Sequence, residues 1–187
     1  MTQIEKTQRT QSIRAAEGYL ELAMALDDLW PLDGRLKSLL ADRAIASLDR
    51  IKRPLGHKPH VLFLKGQACR SAEKHLDAIT YFKQSIRIDP ENLHVYLAMA
   101  WSFKRTHQLE AAIKAMQAAV ELDCESAIAH YNLACYCALN SQVDLALMHL
   151  TFALDLKPEY RDQIATETDF DLVRENPRFV SLVAAAV

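Results

Sequence analysis

The stretch that decides the fold runs from residue 59 to 158. It divides without gaps into PHVLFLKGQACRSAEKHLDAITYFKQSIRIDPEN (59–92), LHVYLAMAWSFKRTHQLEAAIKAMQAAVELDCES (93–126) and AIAHYNLACYCALNSQVDLALMHLTFALDLKP (127–158). Each block starts 34 residues after the last, and equivalent residues fall into columns. Gly66, Ala100 and Ala134 share one column, Ala78, Ala112 and Ala146 another, and Ser85, Ala119 and Ala153 a third. Phe82, Met116 and Leu150 form a bulky column, as do Ile86, Val120 and Leu154, while Pro90, Cys124 and Pro158 close each block. Small residues let two helices approach closely, and bulky ones at i, i+4 spacing fill the space between layers. Asp89-Pro90-Glu91-Asn92 and Asp123-Cys124-Glu125-Ser126 read as turns, because proline cannot continue a helix. Asn92 and Ser126 suit the N-cap of the next helix. A period of this length predicts stacked helical hairpins.

The pattern resembles the tetratricopeptide repeat. The resemblance rests on Leu62, Gly66, Ala78, Phe82 and Pro90 in the first block and on Tyr96, Met99, Ala100, Phe103, Ala112 and Ala119 in the second. Leu133, Ala134, Ala146, Ala153 and Pro158 carry it in the third. Two positions depart from the family pattern: Lys65 stands where leucine is usual, and Cys124 where proline is usual. The resemblance implies an all-α helical-hairpin solenoid of about four helix pairs, closed by C-terminal capping helices as in bacterial arrays of this kind.

The flanks are read from this centre. Residues 1–10 are expected to be a flexible N-terminus, and 11–56 a lengthened, degenerate hairpin. Ala16-Glu17-Gly18-Tyr19-Leu20 resembles the middle of a first helix, and Ala44, Leu48 and Ile51 a second. Gly18 to Ala44 is 26 positions against 12 from Gly66 to Ala78, a surplus of 14. Leu22, Leu26 and Leu29 continue the first helix, Leu36, Leu39 and Leu40 extend the second backwards, and Trp30-Pro31-Leu32-Asp33-Gly34 makes the turn. Each helix is thus expected to gain about two turns and the hairpin to project beyond the others. Residues 159–187 are expected to cap the array, with Phe170, Leu172, Val173, Phe179 and Leu182 over the last open face. Asn176 or Asp171 is expected to start the final helix, with Pro177 at its first position.

Composition narrows the function classes. The chain has 187 residues, 50% of them apolar, and a net charge of -2, so no basic field recruits nucleic acid. No apolar run reaches the ~18 residues of a membrane span, and no leader pattern opens the chain, so a cytoplasmic protein with reduced thiols is expected. The seven histidines, His57, His60, His75, His94, His107, His130 and His149, form no H-E-x-x-H pair. Cys135 and Cys137, two apart on a predicted helix, diverge. With no phosphate loop and no nucleophile elbow, no enzyme, metal or cofactor is expected.

The resemblance also places the binding surface. In the family the first helix of each unit lines the inner face, which here implies His60, Phe63, Gln67 and Arg70, then His94, Leu97, Trp101 and Lys104 with Arg105 beside it. In the third unit it implies Tyr131 and Cys135, with Ile128 and Ala138. An aromatic, apolar and basic strip fits a protein or peptide ligand with apolar anchors and acidic residues. The family's carboxylate-clamp positions hold Phe63, Gln67, Ala98, Ile128 and Asn132; only Asn132 fits, so that subclass is disfavoured. The leading expectation is a scaffold or adaptor. The alternative is self-assembly into homo-oligomers through the array ends and the N-terminal hairpin.

Overall fold

The computed structural model describes residues 2–29, 32–51 and 58–184, with the side chains of 26–29 outside the description. It is an all-α helical repeat fold with no strand among the described residues. Two compact units divide it, Met1–Ser102 and Phe103–Val187. The first holds α1 (Gln3–Leu29), α2 (Gly34–Asp49), α3 (Lys58–Ser71), α4 (His75–Ile86) and most of α5 (Leu93–Arg105). The second holds the end of α5, then α6 (Leu109–Leu122), α7 (Ala127–Leu139), α8 (Val143–Leu156), α9 (Arg161–Ile164) and α10 (Pro177–Ala184). Single 3-10 turns at Pro158–Tyr160 and Thr168–Phe170 complete it.

The columns of Gly66, Ala78, Phe82 and Ser85 are the interior of the pairs, while Ile86 and Val120 of the fifth column are half-buried. Ala78, Phe82, Ser85, Ala100, Ala112, Met116, Ala119, Ala134, Leu150 and Ala153 have no solvent exposure. Gly66 is small for a visible reason: a Cβ there would lie 2.4 Å from Phe82 Cε1. Ser85 adds a bond that alanine cannot make, its hydroxyl donating to the Pro59 carbonyl at 2.8 Å and tying α4 to the start of α3.

Each pair turns by the same backbone device. Glu73, His107 and Ser141 stand in the left-handed region at φ 61°, 58° and 58°. After each, an amide reaches back over the helix end: Lys74 to the Cys69 carbonyl (2.8 Å), Gln108 to Phe103 (2.9 Å) and Gln142 to Cys137 (2.8 Å). This is the bond pattern of a Schellman helix stop, here built without the usual glycine. Between repeats, Ser126 holds the N-cap position of α7, but its side chain makes no capping bond.

The N-terminal hairpin differs from its expectation in three ways. Residues 3–10, expected as a flexible end, are the opening turns of α1. Gly18, expected to match Gly66, is exposed with nothing near its missing Cβ; Ala16 and Ala23 are the buried small residues. The surplus length is also unequal, 27 residues in α1 against 16 in α2. Lys37 lies 3.8 Å from Glu73 and Asp42 3.6 Å from Lys74, so the start of α2 is level with the end of α3. The excess therefore falls at the amino end of α1, ahead of Ala16. Asp33 caps α2 by accepting the Leu36 amide at 2.7 Å; Trp30 and Pro31 of the expected turn lie outside the described residues.

The C-terminal segment caps the second unit. Phe170, Val173 and Phe179 are buried, joined by Tyr160 and Ile164. Leu172 is not part of that seal: it is 68% exposed, because the turn that points Phe170 and Val173 inward points it out. The Arg174 guanidinium holds the turn, donating to the Ile164 and Glu167 carbonyls at 3.3 and 2.8 Å. Asn176 caps α10 through the Arg178 amide at 2.9 Å, with Pro177 at the first helical position.

Candidate functional site

In the first unit, α3 and α5 are the first helices of consecutive repeats, and they carry the expected strip. His60 and His94 are exposed; Phe63, Gln67, Arg70, Leu97 and Trp101 are half-buried. The Arg70 guanidinium lies 5.2 Å from the centre of the Trp101 ring, close enough for cation–π attraction. His75 meets the same indole edge-on at 5.1 Å. Phe63 leans on Phe82 at 6.0 Å, so the partly exposed face is continuous with the repeat interior. His60 is engaged locally, its Nε2 3.2 Å from Glu17 Oε1 on α1.

The second unit treats its share of the strip differently. Tyr131 and Cys135 were expected along an open face, yet both are buried, at 4% and 2% exposure. The cap is the reason: Tyr160 stacks on Tyr131 at 4.8 Å and Phe170 meets it edge-on at 5.8 Å. Ala138 is buried too, whereas Ile128 is exposed. Lys104, expected to face a ligand, forms an ion pair with the buried Asp169 of the cap and lies 5.8 Å from the Tyr136 ring. Arg105 is exposed at the end of α5.

The electrostatics follow from burial. The Cys135 thiol is pushed far above its ordinary range by burial, and further by the charges of Asp169 and Glu167. Tyr131 is raised chiefly by burial and then by the same neighbours. Its hydroxyl has no hydrogen-bond partner among the described residues. Ligand atoms of Cys135, Glu167 and Asp169 lie within 4.8 Å of one another. The Lys104 ammonium on Asp169 already supplies a cation there, and a second positive charge at that distance would be repelled. Cys69 and Cys137 are each raised by burial to about 11. Such thiols are inert, as expected of small interior residues.

Comparison with known proteins bears on this geometry. Residues 59–92 and 97–160 each match a family model described as tetratricopeptide repeat. The chain belongs to the tetratricopeptide repeat family. No curated protein sequence matches it. Among solved structures, a crystal structure of MamA protein is similar at 19% identity over 89% of this chain and 87% of that one, with a TM-score of 0.66. MamA from Desulfovibrio magneticus RS-1, residues 41 to the end, is similar at 20% identity, 85% and 98% coverage and TM-score 0.59. The first tetratricopeptide domain of Spaghetti (RPAP3), bound to the HSP90 peptide SRMEEVD, is similar at 20% identity, 68% and 92% coverage and TM-score 0.54. At these identities the likeness is one of fold.

Membership of the tetratricopeptide repeat family makes the protein an interaction scaffold in class. Among the described helices, none is long and apolar enough to cross a membrane. Sequence reasoning missed one pair of residues. His130 and His149 face each other Nδ1 to Nδ1 at 3.0 Å, and His130 Nε2 lies 3.2 Å from the Cys124 carbonyl. That carbonyl takes the Nε2 proton, so the imidazoles share one proton between their Nδ1 atoms. Their separation of 19 residues hides the pairing; only the α7–α8 hairpin register discloses it.

Proposed function

We propose that the first-helix face of the first unit, made by α3 and α5, binds a protein segment carrying apolar anchors and acidic residues. The observation that carries this reading is the Arg70–Trp101 pair, a cation stacked on a half-buried indole beside Phe63, Gln67 and Leu97. A large, rigid aromatic surface with a guanidinium on it offers contact area and a carboxylate fork in one place. The similar RPAP3 domain holds a peptide whose printed sequence, SRMEEVD, combines methionine, valine and carboxylates. The engagement of Lys104 with Asp169 and the burial of Tyr131 and Cys135 favour α3 and α5 over α7 as the ligand face.

The test uses the full chain and a panel of synthetic peptides pairing an apolar anchor with Glu or Asp, read by tryptophan fluorescence and calorimetry. Trp101→Ala is expected to abolish binding and Arg70→Ala to weaken it on the order of tenfold, both with unchanged helicity. Equal binding by wild type and Trp101→Ala would remove this face from the site. On this reading the protein is a non-catalytic adaptor in the cytoplasm, taking no cofactor.

A further inference from the structure

The outer face of α8 breaks the repeat's own rule. Equivalent columns of the three second helices read Asp77, Ala111, Leu145, then Thr80, Lys114, Met148, then Gln84, Ala118, Phe152. At these three columns the first two repeats carry polar or small residues and the third carries large apolar ones, whereas the column of Leu156 is exposed and apolar in every repeat, as Ile88 and Leu122. Leu145, Met148 and Phe152 are 38%, 44% and 48% exposed, and Leu156 one turn on is 43% exposed. Their spacing makes one stripe along the helix. Beside it, Leu147, Met148 and Thr151 of α8 and Pro177 and Leu182 of α10 line an open groove of about 580 Å³. At Leu145, Met148 and Phe152, large apolar side chains where the sibling repeats are polar or small mark a face that is covered in use.

We infer that the cover is a second copy of this chain, laid antiparallel on α8. The stripe is close to self-complementary about a centre between Leu150 and Thr151. A twofold axis there sets Leu145 of each copy against Leu156 of the other, and His149 against Phe152. The charges agree with that arrangement. Asp144 and Asp155 are the sole charged residues of α8; Asp144 lines the groove with α10, and helix periodicity puts Asp155 on the same side of α8. A twofold axis keeps each flank on its own side, so Asp155 of one copy arrives beside Asp144 and Arg178 of the other. Arg178 is 2.5 Å from Asp144 and its side chain is 67% exposed, available to bridge the two carboxylates at each end. An uncharged centre with a polar rim is the usual anatomy of a protein interface. A lipid surface fits less well, because α8 carries no Lys or Arg to meet its headgroups. This surface shares no residue with the α3–α5 face.

The experiment is molar mass by light scattering over a ~100-fold range of concentration, which a reversible dimer traverses. Mass is expected to rise towards twice that of one chain. Phe152→Glu replaces an exposed side chain in a column that tolerates Gln84 and Ala118. It is expected to hold the mass at one chain while far-UV circular dichroism stays unchanged. Arg178→Glu is expected to weaken dimerisation on the order of tenfold, and the charge swap Arg178→Glu with Asp155→Arg to restore it. Trp101→Ala should leave the mass unaltered, which separates this inference from the ligand-binding reading. A single-chain mass at every concentration overturns the proposal, as does a dimer indifferent to Phe152→Glu. Dissociation by Phe152→Glu without recovery in the charge swap rejects the antiparallel arrangement.

Discussion

Gly66→Ala isolates the close approach that shapes the first repeat. A methyl at Gly66 would sit 2.4, 2.6 and 2.9 Å from Phe82 Cε1, Cδ1 and Cζ, all well inside carbon–carbon contact distance. Phe82 is fully buried, with Phe63 6.0 Å away, so the ring has little room to retreat. Overpacking of this kind costs about 1–3 kcal/mol, and alanine's better helix propensity returns about 1 kcal/mol. The net expectation is a loss of about 1 kcal/mol. Phe82→Leu alone leaves space over the glycine and costs about 1 kcal/mol as well. The third repeat carries the compensated pair, Ala134 with Leu150, both without solvent exposure. Gly66→Ala with Phe82→Leu is therefore expected to return close to wild-type stability. That is a favourable coupling of about 2 kcal/mol. Urea unfolding of the four proteins, followed by circular dichroism at constant m-value, measures it. Additive losses, within about 0.5 kcal/mol, would refute the argument that glycine and ring occupy one shared space.

Three further outcomes follow. Glu73→Gly and Ser141→Gly relieve left-handed backbone at Schellman stops and should each stabilise the chain by about 0.5–1 kcal/mol in urea unfolding, with little change in helicity. His149 is held below its ordinary value of 6.5 by burial and by His130, so the unfolded chain binds the proton more readily. Stability should be full above pH 6.5 and fall as pH drops below it; His149→Phe should flatten that slope in unfolding curves taken across the range. Of the four cysteines, exposed Cys124 should react with a thiol reagent in the native protein, and buried Cys69, Cys135 and Cys137 only on unfolding.

The repeat core was legible because its physics is local and periodic. Gly66, Ala78 and Phe82 and their equivalents 34 and 68 residues on repeat the same helix-to-helix contact, so spacing alone marked them as interior. The stops between paired helices were not legible. Glu73, His107 and Ser141 are ordinary residues driven into left-handed backbone by the bonds around them, and no glycine advertises the turn. Gly18 misled for the converse reason: a small residue permits close approach but does not require it, and here nothing approaches.

By itself, then, the amino-acid order determined the helical hairpins, their register and the small-against-large packing between partners. These depend on contacts repeated at a constant interval. The expectation that Phe63, Arg70 and Trp101 share one strip came instead from the resemblance to the tetratricopeptide repeat. Only the tertiary structure decided which strip residues stay near solvent. The cap folds back from far along the chain, burying Tyr131 and Cys135 and pairing Lys104 with Asp169. That closure depends on contacts such as Lys104 with Asp169, 65 residues apart and occurring once, which no period in the sequence encodes.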